Sequence, residues 1–272
     1  MLLDDLKSLL QKRNLWAKKS LGQNFLVDAS ALDQIVRAAE LTPDDTVIEV
    51  GPGTGFLTER LVEKAGKVIA IEKDSDMIPV LEERFGANSH FELHHSDILK
   101  IENSKLKIQN YKVVANIPYY ITSPLLKHFL QAEHRPSVMV LLVQKEVAEK
   151  ICGITGKSMV TIQTQVFGNP EIIGFVPSSS FYPAPKVESA ILKINVFEEP
   201  LVPVDQLKDF FRLVGFGFSQ KRKKLSNTLG AGLHLKPKET RAVLKKVGID
   251  PDLRAENLEV GDWMRLKNTL TV

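Results

Sequence analysis

Five short β-branched runs, alternating with helical stretches, leave this chain few folds to choose from. The runs are Thr46 to Val50, Lys67 to Ile71, Phe91 to Leu93, Tyr111 to Ala115 and Ser137 to Val143, with helical spacing of apolar residues near 56–65, 75–85, 123–131 and 145–151. Alternating strands and helices predict an α/β fold with a mostly parallel sheet covered on both faces. Upstream, Leu2, Leu3, Leu6, Leu9 and Leu10 outline an amphipathic helix, and Asp28 is placed to cap a helix carrying Leu32, Ile35, Val36 and Ala39. Ser123 reads as a second cap, with Pro124 at the first helical position. Residues 159–167 fit helix or strand, and Glu171 to Val176 with Ser189 to Val196 predict an antiparallel edge hairpin.

The segment Phe197-Glu198-Glu199-Pro200-Leu201-Val202-Pro203 has the composition of a linker, and the residues beyond it read as helix only. The expected organisation is a domain over 1–200, with a helical and loop extension at its start, and a small all-α domain over 201–272. At 272 residues the chain is long enough for both. Its single cysteine, Cys152, allows no intrachain disulfide and no cysteine-based zinc cluster, and has no flanking pattern of a nucleophile. No apolar run approaches the ~18–20 residues needed to span a bilayer. Met1-Leu2-Leu3-Asp4-Asp5 lacks the charged and apolar regions of a secretory signal, so a cytoplasmic protein without a membrane partner is expected. The net charge of +3 says little, but its distribution says more. Residues 219–246 hold nine cations, among them Lys221, Arg222, Lys223 and Lys224, against the single acid Glu239. A charge run of this kind reads as a solvated face or, placed on a small helical appendage to an α/β domain, as the footprint of a polyanion partner.

The most informative segment is Val47-Ile48-Glu49-Val50-Gly51-Pro52-Gly53-Thr54-Gly55-Phe56, a buried strand entering a glycine-rich turn and then a helix. A dinucleotide fingerprint would need glycine at 56, where Phe56 stands. A tight G-x-G-x-G turn without a pyrophosphate to cradle suits the adenosyl and amino-acid moieties of S-adenosylmethionine. Glu72 ends the second strand about 20 residues on, where a carboxylate can accept from both ribose hydroxyls. Asp97 follows the third strand, at the sheet edge where an adenine amino group can be met. Gly156-Lys157-Ser158 is not a phosphate-binding loop, because its first glycine would have to be Ile151. His94 and His95, adjacent in a strand, point to opposite faces and cannot share a metal, and no metal site is indicated.

The fourth strand runs into Asn116-Ile117-Pro118-Tyr119. An adenine N6 lone pair is delocalised into its ring and is a poor nucleophile. Acceptors at Asn116 Oδ1 and the Ile117 carbonyl can bind both N6 hydrogens and favour a pyramidal nitrogen, which combines orientation with electrostatic stabilisation. Tyr119 can stack on the base. Asn/Asp-Pro-Pro-Tyr-like tetrapeptides at this place resemble those of class I methyltransferases that act on exocyclic amino groups.

Lys19-Ser20-Leu21-Gly22-Gln23-Asn24-Phe25-Leu26, Glu49 to Gly55, Asn116 to Tyr119 and Phe181-Tyr182-Pro183-Ala184-Pro185-Lys186-Val187-Glu188-Ser189 together resemble the bacterial small-subunit ribosomal RNA adenine dimethyltransferase family. Phe218-Ser219-Gln220-Lys221-Arg222-Lys223-Lys224-Leu225-Ser226-Asn227-Thr228-Leu229 and Asp262-Trp263-Met264-Arg265-Leu266 extend the resemblance through the second domain. It implies a class I, Rossmann-like, seven-stranded methyltransferase domain with a small helical domain. The implied reaction converts two adjacent adenosines near the 3′ end of 16S ribosomal RNA to N6,N6-dimethyladenosine, with S-adenosylmethionine as cofactor and the small-subunit precursor as partner of a monomeric enzyme. By that likeness Asn24 and Leu26 cover the cofactor, Gly51 meets its methionine portion with Gly53 in the same loop, Glu72 meets its ribose and Asp97 its adenine, and Asn116 also borders the cofactor. Asn116 and Tyr119 take the target base, Phe181 supplies the opposite stacking face, and Lys221, Arg222, Lys223 and Lys224 bind RNA. The chain departs from the common family pattern at Tyr120, where asparagine is frequent, and at Trp263, where phenylalanine is usual.

Three other readings compete with this one. A large-subunit rRNA adenine methyltransferase of the macrolide-resistance type shares the cofactor motifs but differs in the C-terminal domain. A non-catalytic ribosome-assembly factor on the same fold conflicts with an intact Asn116 to Tyr119, and a nicotinamide oxidoreductase conflicts with Phe56.

Overall fold

Near-continuous burial marks the central strands as parallel and covered on both faces. In the computed structural model, which describes residues 2–101 and 108–270, β2 (Thr46–Val50), β3 (Lys67–Glu72), β5 (Tyr111–Asn116) and β6 (Val138–Gln144) bury almost every residue. With β4 (Phe91–His95), β7 (Gly168–Val176) and β9 (Ser189–Val196) they form a seven-stranded sheet in the order β4-β3-β2-β5-β6-β9-β7. The pairs β4/β3, β3/β2, β2/β5 and β5/β6 are parallel, and β9 runs antiparallel to β6. The chain winds outward from β2 in one direction through β3 and β4, and in the other through β5 and β6. The carboxyl ends of β2 and β5 therefore flank the switch point, where open α/β sheets bind ligands.

The expected strands stand within a few residues of their predicted limits, and β7 lies beside β9 at one edge. Its alternating exposure is that of an edge strand with one wet face. The segment from Lys18 to Leu26, read as a loop, contributes β1 (Phe25–Leu26), which pairs antiparallel with β8 (Phe181–Tyr182).

Helices α1 (Leu2–Lys12), α2 (Ala29–Ala38), α3 (Phe56–Val62), α4 (Ile78–Phe85) and α5 (Thr122–Leu130) accompany this sheet. Asp28 caps α2 as expected, accepting from the Ala31 N–H at 3.2 Å. Leu32 and Ile35 of α2 are fully buried in a cluster with Val47, Val114, Val140 and Ile191 from four strands, each burial stabilising by about 2 kcal/mol. A second cluster joins Leu6 and Leu10 of α1 to Met77, Leu81 and Phe85, with Phe25 from β1. Helix α5 departs from its prediction, since it begins at Thr122 with Ile121 as its cap rather than at Ser123. The Thr122 hydroxyl donates instead to the Tyr119 carbonyl at 3.0 Å. Pro124 still sits within the first turn, where no intrahelical N–H bond is lost.

Contacts divide the chain into a first unit of residues 1–148 and 171–196 and a second of residues 149–170 and 197–272. The proposed 1–200 boundary thus needs correction for residues 149–170. The second unit takes them because α7 (Met159–Phe167), which resolves the ambiguity at 159–167, is held there by non-local contacts. Phe167 stacks with Phe211, and the Phe197 N–H donates to the Phe167 carbonyl at 2.8 Å. Helix α6 (Lys145–Ile151) spans the first of these crossings. The rest of the second unit comprises α8 (Leu207–Phe218), α9 (Leu225–Leu233), α10 (Pro237–Lys246) and α11 (Val260–Thr269). Among the described residues no helix is long and apolar enough to cross a membrane.

Trp263 of α11 is fully buried, and Gly217 of α8 makes room for its ring. A Cβ at 217 would lie 2.2 Å from Trp263 Cη2, whereas one at Gly215 would meet nothing within 4 Å. Gly217→Ala is expected to destabilise by about 1–2 kcal/mol through overpacking, and Gly215→Ala to stabilise by about 0.5–1 kcal/mol through helix propensity. Urea unfolding of the two variants checks this; equal shifts would contradict the packing of Trp263 on Gly217.

Candidate active site

The switch point opens into a cleft. Asn24, Leu26, Gly51, Gly53, Glu72, Asp97, Asn116 and Tyr119 all line it, so residues spread over nearly 100 positions of sequence are brought to one place. Each is delivered by a strand end or by the loop preceding α2. Gly51 leaves β2 at φ +67°, and a Cβ there would point into open space with nothing within 4 Å. Backbone can therefore come close to a ligand at this residue, where a side chain would intervene. Gly53 has less room, since its Cβ would meet the Phe25 ring at 3.1 Å.

Glu72 is 5% exposed and braces the glycine turn. Its Oε2 accepts from the Gly53 N–H at 3.0 Å and its Oε1 from the Asp74 N–H at 2.7 Å. Burial pushes its pKa up against these hydrogen bonds. Each carboxylate oxygen retains a further lone pair for a ligand hydroxyl. Asp97 accepts from the Leu99 N–H at 3.1 Å and pairs with Lys73 Nζ at 3.0 Å. Burial pushes that carboxyl up, but the Lys73 ammonium and the backbone donor outweigh it, leaving Asp97 below the ordinary carboxylate range and ionised.

Asn116 ends β5 with its Nδ2 donating to the Asn24 carbonyl at 3.2 Å. This contact occupies the donor end of the amide and directs Oδ1 to other partners. Tyr119 is half-buried, its hydroxyl 2.6 Å from Ser189 Oγ, and burial raises its pKa, so it stays protonated. Tyr120, the departure noted in the sequence, also lines the cleft and is 59% exposed.

Phe181 is not brought to the cleft. Its pairing with Leu26 across β1 and β8 turns the ring into the apolar core, where it is 4% exposed beside Leu26 and Val176. The serines and prolines around it suggest a loop, but strand pairing across 155 positions overrides local composition. Lys221, Arg222, Lys223 and Lys224 occupy the exposed turn between α8 and α9 of the second unit. Lys224 Nζ lies 3.2 Å from Asp252 Oδ1, a carboxylate that also pairs with Arg241 at 2.8 Å.

Glu49 is the functional candidate to which sequence reading gave no role. It lines the cleft at 1% exposure, accepting from Thr58 Oγ1 at 2.7 Å. An acid inside the apolar run Val47-Ile48-Glu49-Val50 was the available signal. Burial, reinforced by the neighbouring Glu72 charge, raises its pKa from 4.5 to about 8. At neutral pH it is mostly protonated, and a cationic ligand group brought against it would favour its ionised form.

This donor set fits S-adenosylmethionine. The Gly51 opening leaves room for backbone contact with an amino-acid moiety, the Glu72 oxygens have lone pairs that can accept from hydroxyls, the ionised Asp97 can accept from an amino group, and an acidic lining suits a positive charge. The family model described as ribosomal RNA adenine dimethylase matches residues 14–271. A ribosomal RNA small subunit methyltransferase A of Dehalococcoides mccartyi is 44% identical over 96% of this chain and 90% of its own length. Its namesake in Alkaliphilus oremlandii is 38% identical over 97% and 95%. Among solved structures, a dimethyladenosine transferase from Plasmodium falciparum superposes with a TM-score of 0.76 at 28% identity, covering 89% of this chain and 95% of that one. The 23S rRNA methyltransferase ErmE gives 0.75 at 29% identity, covering 92% and 100%. The fold is that of class I methyltransferases.

The raised pKa of Glu49 makes stability depend on pH. Between pH 4.5 and about 8 the folded chain retains a proton that the unfolded chain has lost, so this residue's contribution declines as pH rises through that window and is level above it. Glu49→Gln is expected to match the parent near pH 4.5 and to gain on it by at most about 1.4 kcal/mol per pH unit up to pH 8. Urea unfolding across that range measures it, and parallel profiles for the two proteins would overturn the assignment.

Proposed function

The chain belongs to the ribosomal RNA adenine dimethylase family, and on that premise we propose that it methylates N6 of two adjacent adenosines near the 3′ end of 16S ribosomal RNA, giving N6,N6-dimethyladenosine. S-adenosylmethionine, when bound, supplies an electrophilic methyl group on a sulfonium. The observation that carries the reading is the Asn116 amide, held by the Asn24 carbonyl with its acceptor oxygen left for a substrate. Asn116 Oδ1 and the Ile117 carbonyl would accept the N6 hydrogens and localise the nitrogen lone pair toward the methyl group, which the sulfonium would release as it becomes a neutral thioether. The positively charged product nitrogen then gives its proton to water, so no dedicated base is needed. Tyr119, steadied by Ser189, stacks on the base.

The small-subunit substrate is supported by the names carried by the relatives at 38–44% identity, which exceed the 29% identity to the 23S enzyme. We assign 16S ribosomal RNA contact to the exposed Lys221, Arg222, Lys223 and Lys224 of the second unit, and expect the enzyme to work as a cytoplasmic monomer on a small-subunit precursor. Transfer of labelled methyl to unmethylated small subunits and, separately, to large-subunit RNA tests the substrate. Dimethyladenosine confined to the small-subunit RNA supports the proposal, and label in large-subunit RNA overturns it.

Asn116→Ala is expected to lower methyl transfer by about 10²–10³-fold while leaving S-adenosylhomocysteine binding nearly intact. Equal loss of both would contradict its role against the base. Reversing the charges of Lys221, Arg222 and Lys223 should weaken RNA binding and flatten its salt dependence by about 0.7–0.9 in log–log slope for each phosphate no longer neutralised. Binding measured across a salt series reads this directly, and an unchanged slope would make the cluster a solvated face.

A further inference from the structure

The Asn116 amide depends on a partner that the sheet does not hold. That partner, the Asn24 carbonyl, belongs to the segment Lys18 to Asn24, whose regular structure is one 3-10 turn at Lys19–Leu21. Downstream the segment is pinned by the pairing of β1 with β8. Upstream it is pinned by two carboxylates, one of them buried. Lys18 Nζ lies 2.5 Å from Asp74 Oδ1 and 2.6 Å from Asp76 Oδ2. Gln23 Nε2 donates to Asp74 Oδ2 at 2.7 Å, and Gln23 Oε1 accepts from the Lys18 N–H at 2.8 Å. The two ends of the segment are thus tied to each other and to the turn after β3.

Asp74 is 2% exposed, and a buried carboxylate is tolerated only when paired and hydrogen-bonded. Burial alone would push its pKa up, but Lys18, Gln23 and the Asp76 N–H together hold it below the ordinary range. With the segment lifted away, the Asp76 N–H alone among these three donors would remain. These contacts hold the segment against the turn after β3. The Asp74 N–H also donates to Glu72 Oε1, so the same turn braces the ribose-facing acid.

We propose that Asp74, clasped by Lys18 and Gln23, is a positioning residue for methyl transfer. It holds the segment so that the Asn24 carbonyl takes the amide N–H of Asn116 and leaves Oδ1 for the adenine. The inference rests on the role of Asn116 given above, and it assigns the clasp an effect on turnover as well as on cofactor retention.

The test uses the full chain with Lys18→Met, which keeps the aliphatic stem and removes the charge, and Lys18→Arg, which restores it. At saturating cofactor and RNA, Lys18→Met is expected to lower kcat by about tenfold or more, as small misplacements of reacting groups do. KM for RNA stays unchanged, S-adenosylhomocysteine affinity falls, and Lys18→Arg recovers most of both losses. A folded Lys18→Met protein with parental kcat, or a loss shared equally by Lys18→Arg, overturns the proposal. Asp74→Asn provides a second route from the other side of the clasp, with the same expected kcat loss. If the parent protein transfers no methyl to small-subunit RNA, the substrate reading fails. The clasp is then judged by calorimetric S-adenosylhomocysteine affinity alone, where parity of Lys18→Met with the parent would sink it.

Discussion

The parallel pairing of β2 with β3 on one side and β5 on the other is the constraint on which the site depends. Its register sets Val50 beside Ile71 and Glu49 beside Val114, so the glycine turn, Glu72 and Asn116 emerge at neighbouring points of one edge. A slip of one residue would turn every buried side chain of a strand to the opposite face. The apolar residues that hold the register therefore also hold the geometry of the cleft. Val47, Val114 and Val140 pack under α2 and do not line the cleft, yet fix where its lining groups stand.

Elements governed by local pattern were legible in the sequence. Apolar runs marked the strands, Asp28 marked the start of α2, and the glycine turn with its two following acids marked the cofactor cleft. Features governed by distant partners were not. Phe181 carried the composition of a loop, yet Leu26 draws it into a strand and its ring into the core. Residues 149–170 belong with residues 197–272 because of contacts such as Phe167 with Phe211, which no linear boundary expresses. The cap of α5 lies at Ile121, two residues before Ser123, and the Thr122 hydroxyl is engaged by the Tyr119 carbonyl. The clasp on Asp74 joins residues 56 positions apart and has no sequence signature at all.

The cleft also shows how one sheet edge accommodates four neighbouring carboxyl groups by four different means. Glu49 is kept mostly protonated by burial. Glu72 is buried too, but turns its oxygens to backbone N–H groups of the turns it braces. Asp74 takes a lysine from a distant segment, and Asp97 takes one from the strand end beside it. Because like charges disfavour one another at short range, a fourth ionised carboxylate would add repulsion, and Glu49 avoids it by remaining neutral.

This division of labour bears on how two ligands of opposite charge are handled. An acid-rich cleft favours the cationic sulfonium of the cofactor and disfavours a phosphate backbone. A polyanionic substrate therefore needs its attraction from elsewhere in the chain, and the proposed source is the cations of the second unit. There Lys221, Arg222 and Lys223 stand exposed in one turn, while Asp252 ties Lys224 and Arg241 to the helical scaffold. On the proposed function the base meets groups without net charge in the cleft, the Asn116 amide, the Ile117 carbonyl and the protonated Tyr119. Recognition of a neutral base by neutral groups leaves the acids free to serve the cofactor, and lets the affinity for RNA be set by phosphate contacts that carry no information about the base.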